Sequence, residues 1–283
     1  MIVIGLGSAG CNIAKSFSKF PQYETYGIDT HKDADITIKK RPGHESYDKN
    51  FPDLKKRLKL KNEEILIVTC GSGQISGGIL HLLGQLQPSN DLRVVYIQPD
   101  LSLLSETQRM QERVVRSVLQ EYARSGAISK VYLIANEAIE RSVGDVSISG
   151  YYDVLNQAIV NTVHMINVFE NSKPVIGNFI NPSEISRIAT IGVVDLTGEE
   201  EKENWFYDLT EPRDVVYYYG INDDDLKNDG TLFRKINQFV KSKLRDDLSV
   251  SYCIFETSYE QKYCYCIKYS SMVQSYSDDQ EIS

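Results

Sequence analysis

The chain has 283 residues, 41% apolar and 25% charged, with 31 basic against 39 acidic side chains and a net charge of −8. The acidic balance argues against the nucleic-acid backbone as a direct partner, and no apolar run approaches the ~18 residues that cross a bilayer, so neither nucleic acid nor membrane is expected. The opening MIVIGLGSAG has neither a basic secretory start nor an Arg-rich transit pattern, which makes a soluble cytoplasmic protein the expectation.

Residues 2–5 form the first strand candidate, followed at once by Gly5-Leu6-Gly7-Ser8-Ala9-Gly10 and a helical pattern. Glycines let a backbone approach a phosphate chain, and a helix start supplies N–H donors and a positive dipole end. The second strand candidate, 25–28, leads to Asp29, where a dinucleotide-binding fold keeps its ribose-binding acid. Lys55, Lys56, Arg57, Lys59 and Lys61 cluster on what reads as a solvated helix face. Strand 64–69 then runs into a second glycine loop, Gly71-Ser72-Gly73-Gln74-Ile75-Ser76-Gly77-Gly78, and a helix over 74–86. Two such loops at the carboxyl ends of strands suit a di- or triphosphate better than a single dinucleotide loop does.

Strands at 92–97 and 130–135 and a helix at 105–124 complete an alternation that predicts a doubly wound α/β parallel-sheet domain over 1–149. A long central helix is predicted within 150–173, with Val154, Leu155, Ala158, Ile159, Val163 and Ile166 on one stripe and Pro174 ending it. Strands at 189–196, 215–221, 249–256 and 262–269 and a helix at 231–243 predict a smaller α+β domain over 174–274. A charged loop is expected at 199–204 and an acidic, disordered tail at 275–283. The five scattered cysteines fit reduced thiols; Cys264 and Cys266 share a strand face and are expected to pack in the core. The four histidines lack ligand spacing, so no protein-built metal site is expected.

These motifs, in this order, resemble the tubulin/FtsZ superfamily, and in particular its FtsZ-like and phage- or plasmid-encoded members. Gly5 to Asn12, GLGSAGCN, is similar to the family's first phosphate loop, which implies contacts from Gly7, Ser8, Ala9 and Gly10 and places Asn12 against guanine. GSGQISG resembles the family's GGGTGTG loop, which implies phosphate contacts from Gly71, Ser72, Gly73, Gln74, Ile75, Ser76 and Gly77, with Gln74 and Ile75 replacing a threonine and a glycine and Ser76 keeping a hydroxyl. Arg109 matches the ribose-binding arginine; Ser105 stands where its glutamate partner falls by strict spacing, with Glu106 adjacent. Asn136 follows the strand that ends beside the sugar. At the start of the central helix a tubulin-like register gives Tyr152 the stacking role and Asn156 the base edge, whereas an FtsZ-like register moves Tyr152 to the position of the base-pairing residue.

After that helix, Asn181-Pro182-Ser183-Glu184 resembles the loop whose acidic residues enter the nucleotide pocket of the next subunit. Asn181 replaces one acid and Glu184 keeps the other, while a register over Asn178 and Asn181 would leave none. As local chemistry the same residues predict a helix start with a capping box. The resemblance implies a filament-forming protein that binds GTP/GDP with Mg2+, hydrolyses GTP at the subunit interface, and takes itself as partner, with an adaptor engaging the acidic tail. A non-hydrolysing regulator or filament cap and a Rossmann-type NAD-dependent oxidoreductase are the alternative readings.

Overall fold

A computed structural model describes residues 1–177, 181–196 and 201–275. The chain divides into two compact units, 1–160 with 273–283, and 161–272.

In the first unit, β1 (Ile2–Leu6) leads into α1 (Gly7–Phe17), β2 (Glu24–Asp29) and the two-residue β3 (Ile36–Thr37). Two short helices, α2 (His44–Asn50) and α3 (Lys55–Leu58), precede β4 (Glu64–Cys70). A 3-10 turn over Gln74–Gly78 and α4 (Ile79–Leu86) follow, then β5 (Asp91–Gln98), α5 (Glu106–Arg124), β6 (Lys130–Ala135) and α6 (Asn136–Val143). The strands lie side by side in the order 3-2-1-4-5-6, and every pairing is parallel. Every residue of β1 is buried, as a parallel sheet covered on both faces requires. The order reverses between β1 and β4, which opens a crevice at their carboxyl ends.

Helix α7 (Tyr151–Glu170) contributes its first ten residues to this unit and its last ten to the second. The second unit continues with β7 (Ile188–Asp195), β8 (Lys202–Trp205), β9 (Asp214–Asn222), α8 (Asp223–Asn228), α9 (Leu232–Lys243), β10 (Ser249–Thr257) and β11 (Tyr263–Ser270). Its strands pair in the order 10-9-11-7-8, with only β10 and β9 parallel. Alternation in Tyr217-Tyr218-Tyr219 divides the faces. Tyr217 and Tyr219 pack with Ile236 and Val240 of α9 and with Cys264 and Cys266. Tyr218 stacks with Phe169 of α7, which also lies 4.4 Å from Phe255.

Three local expectations are corrected. The helix expected at 74–86 begins as a 3-10 turn, because Ser76 Oγ donates to the carbonyl oxygens of Gly71 (2.9 Å) and Gly73 (2.6 Å) and folds the segment tightly on itself. Part of the charged loop expected at 199–204 is β8, which adds an edge strand to β7; residues 199–200 lie outside the described residues. No helix starts at Asn181: 181–187 is irregular, closed by Ser186 N–H to Ser183 O at 2.8 Å. β7 begins at Ile188, directly after this turn.

Candidate functional site

The two glycine loops occupy the crevice at the strand-order reversal. Gly5 and Gly10 bring α1 down onto the sheet: a Cβ on Gly5 would overlap the Gly10 carbonyl, and one on Gly10 would overlap the carbonyl oxygen of Val68 in β4. Gly7, the first residue of α1, has φ +76°, a conformation glycine adopts without the clash other residues meet. Ser8 Oγ donates to Asp29 Oδ2 at 2.9 Å, so the carboxylate at the end of β2 fixes the loop. Ala9 and Asn12 are exposed, and Ser8 and Asn12 line a polar pocket of about 480 Å³ shared with Lys15, Asp29 and His31.

The second loop is seated from below. Gly71 lies against the Tyr96 ring, and Gly77 and Gly78 lie against His44 and Phe51, where any side chain would collide. Thus the 41–51 connection folds into α2, which packs on the loop. Gly73 and Gln74 are exposed, and a Cβ on Gly73 would meet nothing within 4 Å. Ser72 is half-buried, with Cys70 Sγ 3.5 Å from its hydroxyl. Ser76 is buried, with its hydroxyl bonded to the carbonyl oxygens of Gly71 and Gly73. The two loops meet where Ile75 Cγ2 lies 2.7 Å from the place a Cβ on Gly7 would take. Behind Ser76 and Gly77, a groove of about 890 Å³ runs between α2, α4 and α5.

The remaining predicted residues of the first unit lie at the starts of α5, α6 and α7. Ser105 is the N-cap of α5 and forms a capping box with Gln108, so it serves the helix rather than replacing a ribose-binding acid. Glu106 and Arg109 are exposed in the first turn of α5, and Arg109 Nε donates to Leu104 O at 3.2 Å. Asn136 opens α6 and is half-buried. Beside it, Asp100 and Glu137 share a side-chain hydrogen bond; burial, then Asp100, push the Glu137 carboxyl above its ordinary range. Tyr151 donates to Glu140 Oε2 at 2.9 Å and meets the Tyr152 ring edge-on at 5.2 Å. Tyr152 is 66% exposed, with half-buried Asn156 one turn on. Lys19 Nζ donates to Gln157 Oε1 at 3.2 Å, tying the segment after α1 to α7.

Asn181 and Glu184 lie in the second unit, exposed; the Glu184 backbone carbonyl accepts from Arg187 Nε at 2.7 Å. The alternative register through Asn178 falls outside the described residues. Two positions escaped the sequence reading. Thr69 and Gln98 are buried at the carboxyl ends of β4 and β5, and Thr69 Oγ1 and Gln98 Oε1 find no partner among the described residues. A polar side chain directly after an apolar run, Ile65 to Val68 before Thr69 and Val94 to Ile97 before Gln98, is the signal that would have found them.

Comparison with solved structures places this arrangement. The chain superposes on TubZ of Bacillus thuringiensis serovar israelensis in a GTPγS-form protofilament with a TM-score of 0.72 at 16% identity, over 96% of this chain and 88% of that one. It matches the empty FtsZ dimer of M. jannaschii at 0.69 and 14% identity, over 95% and 87%. It matches the GDP-bound CetZ1 monomer from Haloferax volcanii at 0.65 and 13% identity, over 96% and 94%. The chain has the tubulin/FtsZ fold. No protein-family model matches the chain, and no curated protein matches its sequence. Within the tubulin/FtsZ fold, the crevice just described is where the first unit presents its glycine loops. Among the described residues, no helix is long and apolar enough to cross a membrane.

Proposed function

We propose that this protein binds GTP and GDP in the crevice between β1 and β4 and assembles head to tail into filaments, hydrolysing GTP where subunits meet. The carrying observation is the pair of glycine-rich turns at adjacent strand ends, closed on each other through Gly7 and Ile75. Each turn leads into a helical segment and offers backbone N–H donors to phosphate oxygens. Gly73 leaves the approach open, while Gly7, Gly10, Gly71 and Gly77 let the two turns pack closely against each other, the sheet, Tyr96 and His44.

Ser8, Ala9, Ser72, Gln74 and Ile75 line the phosphate approach, while Ser76 shapes the turn from within. Asn12, Tyr152 and Asn156 recognise guanine, and Arg109, Glu106 and Asn136 flank the sugar. Among the described residues no group of three His, Cys, Asp or Glu side chains is arranged for a metal ion. Mg2+ would therefore be carried mainly by phosphates and water, neutralising charge there. In the neighbouring subunit Glu184 orients the attacking water and Asn181 supports it by hydrogen bonding, a positioning role that accounts for much of the rate in phosphoryl transfer. The protein works in the cytoplasm, and an adaptor engages the acidic tail, of which 276–283 lie outside the described residues.

A non-hydrolysing regulator or cap is the second reading. It is favoured by the internal commitment of the Ser76 hydroxyl and by Asn181 in place of an acid. Equilibrium titration with GTP, GDP and ATP tests the binding claim: tight GTP and GDP binding supports it, and no guanine-nucleotide binding overturns it. Assembly without turnover selects the second reading.

A further inference from the structure

Helix α5 buries an unusual polar stripe: Glu112, Arg116 and Gln120, at successive turns, are each 1% exposed or less. Arg116 Nε donates to Glu112 Oε1 at 3.2 Å. An ion pair this deep is costly unless its remaining donors and acceptors are also satisfied. At one end they reach the carboxyl-terminal segment. Arg116 Nη1 donates to the Gln274 carbonyl oxygen, which also accepts from Gln120 Nε2 at 3.2 Å. Gln120 Oε1 accepts from the Gln274 N–H at 2.7 Å. One side-chain amide thus holds both backbone groups of Gln274, as a neighbouring strand would. Gln274 is itself 2% exposed, and 273–275 belong to the first compact unit.

At the other end the stripe reaches the second glycine loop. Tyr96 OH donates to Glu112 Oε1 at 2.7 Å. The Tyr96 ring supports Gly71, whose hypothetical Cβ would lie 3.0 Å from Cε2 and Cζ and would overlap the hydroxyl. Gly71 O in turn accepts the Ser76 hydroxyl that fixes the loop. A continuous buried path therefore joins Gln274 to Gly71 through Arg116, Glu112 and Tyr96, all within one compact unit.

We infer that Tyr96, Glu112 and Arg116 are positioning residues for the Gly71–Gly77 loop, and that anchoring of the carboxyl-terminal segment at Gln274 is coupled to nucleotide binding there. This rests on the proposed guanine-nucleotide site. Losing the anchor removes an acceptor shared by two buried donors and loosens the support beneath Gly71. Coupling of binding free energies is reciprocal, so nucleotide on the loop also tightens the anchor.

The test compares a chain ending at Ser275, which retains the anchor, with one ending at Met272, which lacks it. Full-length Tyr96→Phe keeps the ring beneath Gly71 but breaks the link to Glu112. Hydrogen exchange of 71–77 without nucleotide and the GTP dissociation constant are read together. The Met272-ended chain should exchange in the loop about tenfold faster and bind GTP about tenfold more weakly than the Ser275-ended chain, with β9 and β11 exchange unchanged. Tyr96→Phe should move both in the same direction by about threefold, and it decides the matter if the shorter chain does not fold. GTP should slow exchange at 273–275. Equal loop exchange and GTP affinity in the two truncations, or an unaltered Tyr96→Phe, overturns the inference even when the parent binds GTP. A parent that binds no guanine nucleotide instead overturns the proposed site and the nucleotide coupling together.

Discussion

Ile75 closes on Gly7: its Cγ2 methyl lies 2.7 Å from where a Cβ on Gly7 would stand, and Gly7 holds φ +76°. Two independent penalties therefore oppose Gly7→Ala. The left-handed backbone costs a non-glycine residue roughly 1–2 kcal/mol, and the new methyl must displace Ile75. GTP affinity should fall at least about tenfold. Ile75→Ala alone should change it less than about threefold, and the double variant should recover only the steric part. Calorimetric titration of the three variants checks this.

Base recognition is assigned to Asn12 and the start of α7. Tyr152 is largely exposed, so Tyr152→Ala should leave stability nearly unchanged. It should weaken GTP binding by about 1–3 kcal/mol, the usual value of base–aromatic stacking. Asn12→Ala should narrow the preference for GTP over ATP. Displacement of labelled GTP by ATP measures both; equal displacement from the parent would refute the assignment.

Cys11 sits one turn into α1, and its thiol is pushed up to about 12 by burial and, secondarily, by the Asp29 carboxylate. A raised thiol pKa means that the nucleophilic thiolate is scarce at ordinary pH and increases as pH approaches 12. Cys11 should therefore resist iodoacetamide from pH 7 to 9 in the folded protein and react on denaturation. Peptide mapping after timed labelling checks this, and rapid native labelling at pH 8 would contradict it.

Because 181–187 is not helical, Glu184 has no helix to cap, and its substitution separates chemistry from folding more cleanly than a capping residue would. Glu184→Gln should alter stability by no more than about 0.5 kcal/mol. It should lower assembly-dependent GTP turnover by roughly two to four orders of magnitude. Filaments should form and persist longer. Phosphate release and thermal melting are the readouts, and parental turnover in the variant would remove Glu184 from the mechanism.

Most of the architecture was legible because its signals are local and repeated. Apolar runs bounded by glycine loops marked β1 and β4, and the three-and-four spacing marked α5 and α7. The errors arose where tertiary contacts override local chemistry. Asn181-Pro182-Ser183-Glu184 has good helix-start chemistry, yet the stretch closes in a Ser183–Ser186 turn and β7 begins at Ile188, which leaves no room for a helix. Ser76 reads as a ligand hydroxyl, but only the folded turn reveals that it bonds Gly71 and Gly73. The stripe from Tyr96 to Gln274 joins residues far apart in the chain, so no spacing rule announces it.

The central claim is that one chain both binds guanine nucleotide and polymerises through it. Right-angle light scattering at increasing protein concentration, with GTP and Mg2+, with GDP and without nucleotide, and electron microscopy of the same samples, tests this most directly. The account predicts a rise above a threshold concentration with GTP, single- or multi-stranded filaments in the images, and reversal as GTP is consumed. Scattering that stays flat with GTP at every concentration, with no filaments in the images, would contradict it.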